Sequence, residues 1–172
     1  YEFFAVELSS FQLHWTHSMS PYASVVLNIA EDHVDWHGSF ERYKADKARV
    51  YEHTQVACIF NTDHVDTLRM VENADVIEGA RAIGFSSTEM PAVSMLGLAE
   101  DIMVDRAFLK NRYNEAYELA VLEDLAPAPG KMPAKHTVEN ALAAAALCRA
   151  ADIDPKAVGA GLRSFKTGAH RN

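Results

Sequence analysis

Three short apolar runs, each about as long as a strand, mark the first part of the chain. They are FFAVEL (3–8), SVVLNI (24–29) and VACIFN (56–61). Apolar residues at consecutive positions are typical of strands buried on both faces of a parallel sheet. Helical patterns alternate with these runs, over 10–17, 39–53 and part of 64–73. The alternation predicts an α/β fold: an open, mostly parallel sheet flanked by helices in three layers.

The second half of the chain has a weaker pattern. Residues 82–125 predict short strands with turns, arranged as a small antiparallel β layer. A Pro/Gly-rich loop, APAPGKMP (126–133), precedes an alanine-rich helix over 138–151, for which Thr137 is the expected N-cap. Asp154 followed by proline predicts a further helix over 155–164.

One lysine interrupts an apolar helix face. A helix that begins after Ser39 places Lys47 near the middle of its apolar side. A lysine at such a position must extend to solvent, meet an anion or lose its charge. The apolar residues on that side are Phe40, Tyr43, Val50 and Tyr51.

Polar residues follow each of the three predicted strands. In an open α/β sheet, ligands bind beyond the carboxyl ends of the strands, so the pattern predicts a site there. The residues concerned are Glu7 to Ser9, Asn28 with Glu31, Asp32 and His33, and Asn61 to Asp63.

Composition narrows the class of protein. The chain has 172 residues, 49% of them hydrophobic, which suits one domain with a buried core. A net charge of −8 argues against a nucleic-acid surface. No apolar stretch approaches the roughly 18 residues that a membrane span needs, and no signal peptide is evident. Cys58 and Cys148 lie in apolar runs, which favours free thiols and a reducing cytoplasm.

Each candidate chemical group has a structural alternative. Asp32, His33 and His37 could act in acid–base chemistry or form part of a zinc site, but no third histidine or cysteine has suitable spacing. Glu7 could bind Mg²⁺, or its segment could simply lead into a helix capped by Ser9 or Ser10.

The alanine helix offers a second candidate region. His136 and Asn140 could contact a phosphate or another polar ligand at the helix N-terminus, or that end could be an ordinary packed helix start. Arg171 would be solvated unless the chain continues. The chain contains no GxxxxGK[ST] phosphate-binding loop, since the only glycine–lysine pair, Gly130-Lys131, precedes Met132-Pro133.

Five stretches together resemble the Mur ligase family, and among its members those that add D-glutamate. They occur in the order found in that family and span nearly the whole chain. They are ELSSFQL (7–13), NIAEDHVD (28–35) with His37-Gly38, the helix 43–51, HTVEN (136–140) and 165–171.

The resemblance implies an ATP-dependent, Mg²⁺-requiring amide ligase of peptidoglycan precursor synthesis. Its substrates would be UDP-N-acetylmuramoyl-L-alanine, D-glutamate and ATP, with an acyl phosphate as intermediate. By position, Glu7, His33 and Lys47 match the metal and catalytic residues, with Lys47 carbamylated. Ser9 and His33 match positions at the substrate, and His136, Asn140 and Arg171 match nucleotide contacts. Thr137 departs from the family's usual asparagine, which leaves one nucleotide contact without its residue.

The resemblance also implies that the chain is part of a longer enzyme. Residues 1–165 match a central ATP-binding domain without its P-loop strand and helix, and 166–172 match the start of a hinge. Such a piece is expected to be inactive by itself. The full-length enzyme is expected to be a monomer. Three alternatives remain open at this point: a related ligase such as folylpolyglutamate synthetase, a non-catalytic α/β binding module, and a metal-dependent hydrolase built on Asp32, His33 and His37.

Overall fold

The computed structural model describes residues 3–165, which contain one six-stranded sheet. The strands lie in chain order across the sheet, β1 to β4 parallel and β4 to β6 antiparallel. The antiparallel strands expected in the second half therefore continue the parallel sheet. The strands are β1 (Ala23–Val26), β2 (Ala57–Asn61), β3 (Arg81–Phe85), β4 (Met95–Ala99), β5 (Ile102–Asp105) and β6 (Tyr117–Val121).

Helices cover both faces of this sheet, as the three-layer prediction required. α3 and α4 bury one face in a small cluster that includes Val26, Tyr51 and Met70. α5 and α6 bury the other face in a larger cluster around Ile59 and Phe85. The helices are α1 (Ser10–His14), α2 (Val34–His37), α3 (Phe40–Ala48), α4 (Val65–Glu72), α5 (Lys135–Ala150) and α6 (Pro155–Ser164).

The predicted helix starts at Ser39 and Asp154 are confirmed. The Ser39 hydroxyl accepts a hydrogen bond from the Arg42 amide, and the Asp154 carboxylate accepts one from the Lys156 amide. Each side chain thereby satisfies an amide that the first helical turn leaves without a partner. No helix in residues 3–165 is long and apolar enough to cross a membrane.

The first apolar run, residues 3–8, does not form the predicted strand. Phe4 and Val6 are 86% and 70% exposed. An extended segment becomes a strand only when a neighbouring strand takes its backbone hydrogen bonds. Within the described residues the sheet ends at β1, and nothing pairs with this run.

The predicted N-cap Thr137 was wrong. α5 begins at Lys135, its cap position is Ala134, and the Thr137 amide donates to the Ala134 carbonyl. The Pro-rich loop delivers Ala134 in an extended conformation, so the next residues can be helical at once. Thr137 consequently lies in the first turn, and Asn140 lies one turn further into the helix than expected.

A buried tyrosine joins β1 to β2. The Tyr51 hydroxyl donates to the Ile59 carbonyl at 2.7 Å and accepts from the Val26 amide at 2.9 Å. Burial raises the pKa of this phenol well above its ordinary value. Tyr51 therefore supplies a polar link between two parallel strands from inside the α3–α4 layer.

Candidate functional site

The carboxyl ends of β1, β2 and β3 lie at one edge of the sheet. The three strands are parallel, so the segments that follow them leave the sheet on the same side. The N-terminal part of α5 reaches the same edge, since Lys135 lies 3.7 Å from Asp63, two residues beyond β2. The polar residues that follow β2 therefore lie at the carboxyl edge of the sheet, where the sequence predicted a site.

Lys47 is half-buried on α3. Burial lowers the pKa of its ammonium group, and the nearby Glu7 carboxylate partly offsets that shift. Among the described residues, no carboxylate lies within 4.0 Å of the Lys47 amine. The structure thus leaves the amine partly desolvated, within electrostatic range of Glu7 but without a direct ion pair, which favours its neutral form.

His33 has a left-handed backbone conformation (φ 51°) immediately before α2. Its Nε2 atom lies 3.3 Å from the Asp32 carboxylate, and its ring packs against Phe11 of α1 with 4.8 Å between ring centroids. The ring is about half exposed. His33 therefore lies beside α1, the helix that follows Glu7, with part of its surface open to solvent.

His37 does not join His33 in a metal-binding pair. Its Nδ1 atom lies 2.7 Å from Asp46 Oδ2, and its Nε2 atom lies 3.0 Å from Ser10 Oγ. Both ring nitrogens are thus committed to buried hydrogen bonds. The structure argues against zinc and against the hydrolase built on Asp32, His33 and His37.

A second histidine, His14, also contacts the Asp46 carboxylate. The Nδ1 atom of His14 lies 3.0 Å from both Asp46 oxygens. The chain Ser10–His37–Asp46–His14, hereafter the polar chain, was not foreseen from the sequence. Its only signal was an acidic residue directly before Lys47, which does not reveal its partners on α1 and α2.

Ser9 acts as the cap of α1, the alternative considered for it. Its hydroxyl accepts from the Gln12 amide and donates to the Gln12 side chain, whose oxygen also accepts from the Ser9 amide. Ser9 and Glu7 are both exposed. Both side chains are therefore accessible to a ligand.

Asp63 is the centre of a second polar cluster at the same edge. Its carboxylate accepts from the hydroxyls of Ser86 at 2.7 Å and Thr88 at 2.9 Å. Burial alone would raise the pKa of Asp63, but these hydrogen bonds and the positive charge of Lys135 lower it overall. The cluster ties the ends of β2 and β3 to the start of α5.

The candidate nucleotide residues lie on this part of α5. His136 and Asn140 are exposed, whereas Glu139 between them is buried. Glu139 accepts a long hydrogen bond, 3.4 Å, from the fully buried Asn61 side chain. The helix is therefore anchored on one side and presents His136 and Asn140 on another. Arg171 lies outside the described residues.

The residues near Lys47 suit a hard cation that is also coordinated by oxygen atoms of a bound substrate. No cluster of three His, Cys, Asp or Glu side chains suited to a metal occurs in residues 3–165. Mg²⁺ in phosphate-transferring sites commonly uses one or two carboxylates together with phosphate oxygens and water. Glu7 supplies one carboxylate, and carbamylation would give Lys47 a second anionic oxygen group beside it. This donor set fits Mg²⁺.

Comparison with known proteins identifies relatives with about half of their aligned residues identical to this chain. UDP-N-acetylmuramoylalanine–D-glutamate ligase of Streptomyces avermitilis is 51% identical over 171 residues, which is 99% of this chain and 35% of the relative. The ligases of the same name from Streptomyces coelicolor and Leifsonia xyli are 50% and 49% identical, again over 99% of this chain. The chain spans about a third of the length of these relatives.

Structural and family comparisons agree with these matches. The structure of a UDP-N-acetylmuramoyl-L-alanyl-D-glutamate–2,6-diaminopimelate ligase aligns with a TM-score of 0.67 at 18% identity, covering 95% of this chain and 32% of that one, which supports the fold. The family model described as the Mur ligase middle domain matches residues 1–148. The chain belongs to the Mur ligase family.

Proposed function

We propose that the full-length protein containing this chain is an ATP-dependent ligase that joins D-glutamate to UDP-N-acetylmuramoyl-L-alanine. The reaction would supply a peptidoglycan precursor in the cytoplasm. The observation that carries the proposal is the placement of a desolvated Lys47 beside Glu7, in a chain 51% identical to a D-glutamate ligase. Residues 1–165 would form part of a central ATP-binding domain, and 166–172 the start of a hinge.

The proposed chemistry overcomes the poor reactivity of a carboxylate. The terminal phosphoryl group of ATP passes to the alanyl carboxylate, giving an acyl phosphate. The amine of D-glutamate attacks its carbonyl carbon, and the tetrahedral intermediate collapses with loss of phosphate. Binding both substrates in line lowers the entropic part of the barrier, and positive charge stabilises the developing oxyanion.

Lys47 and Glu7 would provide the anionic side of this site. Carbon dioxide adds to the neutral Lys47 amine with loss of a proton, and the lowered pKa of the ammonium group raises the fraction able to react. The resulting carbamate and the Glu7 carboxylate would hold Mg²⁺. When bound, Mg²⁺ would neutralise phosphate charge. His33, half exposed beside Phe11, would contact the reacting carboxylate.

The N-terminal part of α5 would meet the nucleotide. His136 and Asn140 are exposed there, and the positive end of the helix dipole attracts anions. Arg171 would approach ATP across the hinge on domain closure. Because this chain contains no GxxxxGK[ST] loop, it would lack the main phosphate contacts and be inactive by itself.

The test is ADP release by the full-length protein with UDP-N-acetylmuramoyl-L-alanine, Mg²⁺-ATP and a panel of amino acids. The 172-residue chain serves as a control, and gel filtration checks the proposed monomer. We expect release with D-glutamate alone and none from the control.

Each other result has a defined meaning. Release with a different amino acid would keep the reaction class and overturn the named acceptor. Absence of ADP release with every acceptor, from a protein that is folded by circular dichroism, would overturn the ligase proposal. A binding module that keeps the scaffold would then be the better description.

A further inference from the structure

The three residues proposed to act near the metal lie on separate segments. Glu7 precedes α1, His33 precedes α2, and Lys47 lies in α3. Within the described residues, no hydrogen bond or ion pair joins these three side chains to one another. Their relative positions must therefore be fixed by other contacts between the segments.

The polar chain connects those three segments. Ser10 lies three residues after Glu7, His37 lies four residues after His33, and Asp46 directly precedes Lys47. Ser10, His37 and Asp46 are linked in that order by contacts of 3.0 and 2.7 Å. His14, also on α1, contacts Asp46 directly. Each segment that carries a proposed site residue thus also carries a member of the polar chain.

Hydrogen-bond accounting gives one consistent arrangement of the polar chain when Asp46 is ionised and His37 is neutral. An ionised Asp46 can only accept, so the Nδ1 atoms of His37 and His14 both carry a hydrogen. In its neutral form, His37 then accepts at Nε2 from the Ser10 hydroxyl. The buried donors and acceptors are all used, and hydrogen bonds to a charged group are stronger than neutral ones. The arrangement is therefore directional and resists rotation of α2.

Within the described residues, the side-chain hydrogen bonds of α2 are those of His37. The helix has four residues, and the residues flanking it, His33 and Gly38, both have left-handed backbone conformations. His33 makes no side-chain cap. α2 also makes aromatic contacts, which are less directional: Trp36 packs on Phe11 and His14, and the His37 ring packs on Phe11 and Tyr43. Loss of the His37–Asp46 bond should therefore change the position of His33.

The spatial order Ser10–His37–Asp46 resembles a catalytic nucleophile with its base and orienting acid. The burial of these side chains excludes that role. Ser10 is 4% exposed and His37 is 6% exposed. A nucleophile and its base must reach the substrate atoms directly. The buried position suits a structural constraint on neighbouring groups instead.

We propose that Asp46, through His37 and His14, is a positioning residue that holds Glu7, His33 and Lys47 in the arrangement needed for metal and substrate. The inference rests on the function proposed above. Residues that orient metal ligands from outside typically change metal affinity or activity by about 10–100-fold when replaced. The size of that effect makes the role measurable.

The test uses the full-length protein with Asp46→Asn, His14→Gln and the control Asp66→Asn. Asp66 lies on α4 and also contacts α3, through Lys44 at 3.4 Å, but it is not a member of the polar chain. Mn²⁺ affinity in the presence of ATP is measured by electron paramagnetic resonance, alongside kcat, KM for ATP and the thermal midpoint. Mn²⁺ binding reports on the site without requiring turnover.

We expect Asp46→Asn to weaken Mn²⁺ binding and lower kcat about tenfold or more, while KM for ATP stays within about twofold. His14→Gln should give about a threefold loss in both, because one of the two contacts remains. Asp66→Asn should leave both within about twofold. A merely structural contact would lower the thermal midpoint while the folded protein kept its Mn²⁺ affinity and kcat.

The inference is overturned if folded Asp46→Asn matches Asp66→Asn in Mn²⁺ affinity and kcat. If Asp46→Asn does not fold, His14→Gln decides: an unchanged Mn²⁺ affinity and kcat overturns the inference, and a selective loss supports it. A wild-type protein without ADP release would instead be a failure of the proposed function, which separates the two outcomes.

Discussion

The Glu7 carboxylate lies close enough to Lys47 to raise the pKa of its ammonium group, yet the two form no ion pair within 4.0 Å among the described residues. Burial acts in the opposite direction and is the stronger influence. Lys47 is thus more easily deprotonated than an exposed lysine despite its anionic neighbour. That combination raises the neutral fraction of the Lys47 amine, the form that can react with a small electrophile.

Replacing Lys47 by arginine should prevent carbamylation at this position and the catalysis that depends on it. A guanidinium stays protonated and cannot form a carbamate. We expect Lys47→Arg to lower kcat of the full-length protein by about a hundredfold or more. ¹³C NMR in ¹³C-bicarbonate should lose one carbamate signal.

Lys44→Arg is the matched control for that experiment. Lys44 lies on the same helix and pairs with Glu41 and Asp66. The substitution preserves charge, so activity and the carbamate signal should be retained. Equal activity in both variants would show that Lys47 needs only its positive charge.

Removing the Tyr51 hydroxyl should weaken the junction between β1 and β2. In Tyr51→Phe, the Val26 amide and the Ile59 carbonyl each lose a buried partner. The expected cost is about 1–3 kcal/mol. Hydrogen exchange of peptides covering 23–26 and 57–61 should accelerate. Tyr43→Phe, whose hydroxyl makes no hydrogen bond within the described residues, is the control and should leave exchange there unchanged.

Two glycines on α6 should respond in opposite directions to alanine. A methyl group at Gly159 would collide with the Leu119 carbonyl of β6, whereas one at Gly161 meets nothing within 4 Å. Gly159→Ala should destabilise the protein by about 1–3 kcal/mol through overpacking. Gly161→Ala should stabilise it by about 0.5–1 kcal/mol through helix propensity. Thermal midpoints of the full-length variants test this, and equal shifts would contradict it.

The two thiols should alkylate slowly and in a fixed order. Burial raises the pKa of Cys58 and of Cys148, so less reactive thiolate is present at a given pH than in free cysteine. Cys58 is buried and Cys148 is half-buried. Peptide mapping after iodoacetamide at pH 8 should show Cys148 modified before Cys58, with both rates rising as pH increases. Rapid labelling of Cys58 in the native protein would contradict its packing.

Sequence reasoning succeeded where a local pattern carries the information. The run 24–29 overlaps β1 and the run 56–61 contains β2, because consecutive apolar residues need burial on both faces. Ser39 and Asp154 were recognised as caps because their effect is confined to one turn. The run 3–8 is similarly apolar, but strand formation also depends on a neighbouring strand, which composition does not reveal.

The candidate site shows the same limit. Lys47 attracted notice from helical periodicity alone, and its depressed pKa agrees with that interpretation. His37 looked like a ligand because it is near His33 in sequence, yet its partners are Ser10 and Asp46, which are distant along the chain. Hydrogen bonds between remote segments depend on tertiary packing, for which a single sequence gives no direct signal.

Asn61 has a consequence beyond packing. Its amide group donates to the Leu27 carbonyl, at the start of the segment that leads to His33, and to Glu139 on α5. One side chain thus spans the gap between the metal half and the nucleotide half of the proposed site. Asn61 therefore sets the spacing between the Leu27 segment and α5, so both halves of the proposed site depend on one side chain for their relative position.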